Sequence, residues 1–118
     1  MTGIADTNYV DMIVQEADGS VVLVMTESRE WGSDPLQAEQ LKQKVNRYTG
    51  YAVEGGLVED FPHLAEAAVS IRLDCVSSPS GEFARIVELT TAGLGRMGVG
   101  FVVNAGKDTA STDVNDAV

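Results

Sequence analysis

The chain has 118 residues, with 18 carboxylates against 8 basic side chains and one histidine, for a formal charge of −10. A phosphate backbone needs several Lys or Arg gathered on one face, and anionic lipid repels such a chain, so neither nucleic acid nor membrane is expected as a partner. The length fits one domain, and 44% apolar residues suffice for a core without a metal or disulfide staple.

The longest apolar run is Val21 to Met25, far short of the roughly 20 residues that cross a bilayer. The first residues carry neither a basic nor an apolar leader pattern. The lone Cys75 cannot close an internal disulfide. Together these point to a cytoplasmic setting.

In chain order, Tyr9 to Gln15 reads as a strand, with Val10, Met12 and Val14 on one face and Asp11, Ile13 and Gln15 on the other. Asp18-Gly19 marks a tight turn, and Ser20 to Glu27 returns as a second strand. That strand is apolar on both faces, the mark of a central or doubly covered position. Arg29 to Asp34 is a connection. Asp34-Pro35 then opens a helix, with Asp34 as cap and Gln37 at the capping-box position. Leu41, Val45, Tyr48 and Ala52 form its inward stripe, and Gly55-Gly56 ends it.

Leu57 to Ala67, broken by Pro62, has no readable period. Val69 to Val76 is a strand with Val69, Ile71, Leu73 and Cys75 on one face. Ser77 to Gly81 leads into a second helix with Phe83, Val87, Thr90 and Leu94 inward, flanked by Ile86 and Met97. Gly93 and Gly95 each weaken that helix by about 1 kcal/mol relative to Ala. Gly98 stops it, and Val99 to Val103 is the last strand. Residues 104–118 lack large apolar side chains other than two valines and read as a disordered acidic tail after a single domain over 1–103.

The order β-β-α-β-α-β predicts an α+β fold, a four-stranded sheet with two helices packed on one face. The other face then lacks a cover. Arg72 and Asp74 make part of it polar, but Val22 and Val24 are expected to be exposed there, which suggests a homodimer or another partner.

Several residues now resemble a known family of short bacterial proteins, known only as a domain of unknown function. They are the opening Asp6, Val10, Asp11 and Ile13, the hairpin from Gly19 to Thr26, and Trp31 before the first helix. Leu41, Lys42, Lys44, Asn46 and Tyr48 on that helix continue the pattern, and Pro79-Ser80 precedes the second helix. The resemblance covers about residues 5–103. It implies this order of elements and a bacterial source, and it brings no activity.

Candidate chemistry is sparse. Cys75 sits at a strand end before a Ser/Pro/Gly loop, as in thiol-phosphate sites, but Gly81 stands where those sites need an arginine; a core thiol is expected. His63 lies among Glu59, Asp60 and Glu66, where an imidazole–carboxylate metal site competes with a solvated acidic loop. No serine lies in a nucleophile elbow, and Asp11, Glu16 and Asp18 lack calcium-loop spacing. Gly93 to Gly98 spells G-x-G-x-x-G but closes a helix instead of opening one, so it is not a dinucleotide motif. Trp31 is either a binding anchor or the cap of the core.

No cofactor, metal or catalytic residue is therefore expected. The first reading is a non-enzymatic protein acting by protein contact or as a homodimer. Its interaction residues are Trp31, Val22, Val24, Asp11 and His63, and its sharper form is an immunity-type inhibitor of a basic partner. The competing reading is a small enzyme or ligand-binding domain with a pocket near residues 57–68. The charge is polarised: residues 1–30 hold −5, and the helix bearing Lys42, Lys44 and Arg47 is the one locally basic element.

Overall fold

The computed structural model describes Ile4, Ala5 and residues 10–106. Asp6 and Tyr9 of the opening segment and positions 107–118 of the expected tail lie outside the described residues. The elements are β1 (Met12–Gln15), β2 (Val21–Glu27), α1 (Gln37–Val53), the short α2 (Gly56–Asp60), a 3-10 turn (Pro62–Leu64), β3 (Val69–Cys75), α3 (Glu82–Arg96) and β4 (Gly100–Ala105).

The four strands lie in the order β1-β2-β3-β4. The hairpin pair β1–β2 is antiparallel, and β2–β3 and β3–β4 are parallel. Both crossovers step in the same direction along the sheet, so their common handedness places α1 and α3 on one face. One core cluster confirms it, joining Leu41, Val45 and Tyr48 of α1 and Phe83, Ile86 and Leu94 of α3 to Leu23, Ile71, Leu73 and Phe101 of the sheet. Each such side chain removed from water contributes about 1.5–3 kcal/mol.

Local chemistry departs from the expected form at three places. The hairpin turn is centred on Ala17 and Asp18, because Gly19 N–H donates to the Glu16 carbonyl at 2.9 Å. Gly19 follows at φ 91°, the left-handed residue that brings a three-residue turn back into register. Asp18 closes it by accepting from the Ser20 amide and hydroxyl at 2.9 and 2.7 Å.

At the start of α1, Asp34 accepts from Leu36 N–H at 2.8 Å, so it turns the chain one step ahead of the helix instead of capping it. Gln37 makes no capping box; its side chain points into the protein. At the end of the domain, β4 runs through Ala105, two residues past the expected limit at Val103, because Asn104 and Ala105 pair with Asp74 and Cys75 on β3. Main-chain pairing there does not depend on apolar side chains.

Leu57 to Ala67, unreadable by period, becomes α2 and the 3-10 turn. Gly55 makes this possible with φ 102°, which reverses the chain directly after α1. Only Leu57 and Leu64 of the two elements are buried, too few to give a period.

Candidate functional site

The most enclosed polar group lies where β1 meets α1. Strand alternation turns Asp11 toward the helix face, and the helical stripe brings Lys44 and Tyr48, four residues apart, to the same point. Lys44 Nζ donates to Asp11 Oδ1 at 2.9 Å, with side-chain exposures of 0% and 5%. The Tyr48 hydroxyl accepts from Asp11 N–H at 2.7 Å and donates to the Val24 carbonyl at 2.6 Å, bridging the strands where their own ladder stops. Burial pushes the Tyr48 phenol well above its ordinary value, so it stays a donor. Asp11 Oδ2 is buried without a hydrogen-bond partner.

Asp11 is therefore a structural ion, not a surface contact as expected. Lys44, grouped with Lys42 and Arg47 as the locally basic part of the helix, is equally removed from solvent. Only Lys42 and Arg47 of that trio face solvent.

A second network sits at the carboxyl end of β2. Glu27 is buried and receives Arg29 Nη2 at 2.7 Å and Gln37 Nε2 at 2.9 Å. Gln37 Oε1 accepts from Gly32 N–H at 2.7 Å, and Arg29 also reaches Gln40 and Asp34. Burial raises the Glu27 carboxyl, but the hydrogen bonds from Arg29 and Gln37 outweigh it and hold the group below its ordinary value. Arg29 and Gln37 thus tie β2, the Gly32 turn and the first turns of α1 together, so the geometry fixes the connection into α1.

Trp31 belongs to the same corner. Its ring packs on Phe83 at 4.9 Å between centroids, and its Nε1–H donates to the Ser77 carbonyl at 2.8 Å. Of its two expected roles, the structure shows the one that closes the core. Cys75 is buried, with its Sγ 3.9 Å from the Asn104 carbonyl. His63 is exposed on the 3-10 turn, edge-on to Phe61. No group of three or more His, Cys, Asp or Glu placed to hold a metal occurs among the described residues, and no helix among them is long and apolar enough to cross a membrane.

The open sheet face is less apolar than expected. One cross-sheet row runs Met12, Val24, Arg72, Val102. Val24 is only 1% exposed, a correction to its expected exposure: its row neighbours Met12 and Arg72 flank it. Val22 is half-buried. Arg72 pairs with Asp74 at 2.8 Å, and Asn104 Nδ2 donates to Asp74 Oδ1 at 3.2 Å. That polar stripe divides the face. The exposed Met12 and Val102 stand on opposite edge strands, about 14 Å apart at normal strand spacing.

An apolar surface lies on the helix layer. A groove of about 290 Å³ runs between α1 and α3. Val45 and Thr49 line one wall, and Ile86, Leu89, Gly93 and Met97 line the other. Leu89 and Met97 are 59% and 56% exposed. Gly93 leaves the wall open between them, since nothing lies within 4 Å of where its Cβ would be. Lys42 is the only charged residue among the described residues of the lining. A second, polar hollow of about 530 Å³ lies beside α2, lined by residues that include Arg47, Tyr51, Glu54 and Glu59. Trp31, His63 and Cys75 line neither.

The sequence reading missed this groove because Leu89 falls outside the inward stripe of α3 and was assigned no role. A second stripe at 86, 89, 93 and 97 was the available signal. The buried Glu27, Gln37 and Lys44 were missed because polar types are ordinarily assigned to solvent.

A model for a family of unknown function (DUF6572) matches residues 2–107. No curated protein and no solved structure is significantly similar to the chain.

Proposed function

Since the chain belongs to that family of unknown function, which supplies no activity, we propose from its geometry that it works by protein–protein contact through the α1–α3 helix layer. The observation that carries this reading is the apolar groove flanked by Leu89 and Met97. Large apolar side chains standing together in water at a groove are a signature of contact surfaces, and an apolar groove between helices suits the ridge of another helix.

Three of the buried polar groups support a non-enzymatic reading, with Asp11 Oδ2 as the exception that lacks a partner. Glu27, Gln37 and Tyr48 spend their hydrogen bonds on main chain and on one another. An inhibitor acting through an acidic pole has less to draw on, because Asp11 and Glu27, two of the six acids in residues 1–30, are neutralised internally by Lys44 and Arg29.

The test is a photo-crosslinking side chain placed at position 89 and, separately, at position 102 of the full chain in its source cells. Both sites are exposed, one on each face. Adducts at 89 and none at 102 are expected. Adducts at 102 alone, or at neither, would remove the reading.

A further inference from the structure

We infer that the occupant of the groove is a second copy of this chain, paired through antiparallel α3 helices about Gly93. The inference rests on the contact reading above and adds the partner's identity. Its first support is charge. A chain of net charge −10 repels itself over most of its surface, so two copies meet only at a face free of excess carboxylate. Helix α3 is that face: Glu82 and Glu88 balance Arg85 and Arg96, and none of the described residues that line the groove is an acid.

The second support is spacing. Leu89 and Met97 stand one helical turn to either side of Gly93. A two-fold axis through Gly93 sets Gly93 against Gly93 and brings Leu89 of each copy level with Met97 of the other, so an apolar pair closes each end of the crossing. Two glycines at the crossing let the backbones approach. Glu88 pairs with Arg85 of its own helix at 3.6 Å, so neither brings an uncompensated charge to the crossing.

The test combines sedimentation with crosslinking of the full-length protein. The native chain is expected to double in mass, from 12.5 kDa, as its concentration rises. Gly93→Glu, tolerated by a helix that a glycine weakens, is expected to stay at monomer mass with unchanged circular dichroism. Gly93→Cys is expected to form a disulfide dimer under mild oxidation, which requires α-carbons within about 7 Å; Thr91→Cys, on another side of the helix, is expected not to.

A native chain that stays monomeric at every concentration, or a dimer indifferent to Gly93→Glu, overturns the inference. If the photo-crosslinker at position 89 then captures a chain of another mass, the contact reading stands and only self-pairing falls. If position 89 captures nothing, both fall.

Discussion

Lys44 and Asp11 form an ion pair 2.9 Å long inside the protein, with the lysine fully out of water. Neither charge is stable there alone. Breaking a buried pair from one side costs about 3–5 kcal/mol, because the remaining ion is left uncompensated. Lys44→Met is therefore expected to lose stability of that size in urea unfolding. Replacing both partners, as Lys44→Met with Asp11→Leu, is expected to recover most of it. Equal losses in the single and double variants would mean that the pair is not what holds β1 to α1.

Tyr48→Phe removes one hydroxyl but strands two main-chain groups, the Asp11 amide and the Val24 carbonyl. The expected cost is about 1–3 kcal/mol. Hydrogen exchange locates it: the Asp11 amide is expected to exchange faster in Tyr48→Phe, while amides of β3 keep their protection.

The Glu27 network gives the fold an acid limit. Because the folded protein holds Glu27 below its ordinary value of 4.5, the group adds stability above that pH. The contribution is lost as pH falls through the lowered folded value. Thermal unfolding of Glu27→Gln is expected to show a shallower decline on the acid side of pH 4.5 than the native chain. An identical acid slope would show that another carboxylate sets the limit.

Gly95 and Gly98 lie three residues apart but are expected to respond in opposite ways. Gly95 is helical with nothing within 4 Å of its Cβ position, so Gly95→Ala is expected to raise stability by about 1 kcal/mol. Gly98 has φ 79° and closes α3. Its amide donates to Gly95, and Val99 N–H reaches back to the Leu94 carbonyl at 2.9 Å. Gly98→Ala is expected to destabilise. Melting temperatures of the two variants, one up and one down, check the assignment.

These residues also show what the sequence could reveal. The element order and the apolar face of β3 were legible because each rests on local signals: period two, period 3.6, and glycine or proline punctuation. The burial of Val24 was not, since it depends on Met12 and Arg72, which reach it only through pairing across strands. Gln37 reads as a capping-box residue and Lys44 as one of a basic trio, because no local pattern foretells that Glu27 and Asp11 wait opposite them. The second stripe on α3 was legible in principle. Gly93 in its middle gives it less weight than the stripe of Phe83, Val87, Thr90 and Leu94.

The central claim, that the helix layer and not the open sheet face is the contact surface, is tested most directly by methionine oxidation. The chain carries three informative reporters: Met97 beside the groove, Met12 on the sheet face, and Met25 in the core. Sulfoxide formation follows exposure, and peptide mass spectrometry reads each site in dilute and concentrated protein. The account predicts that Met97 is oxidised readily when dilute and becomes protected when concentrated, while Met12 stays reactive and Met25 stays inert throughout. Protection of Met12 with Met97 unchanged would contradict it and move the contact to the sheet.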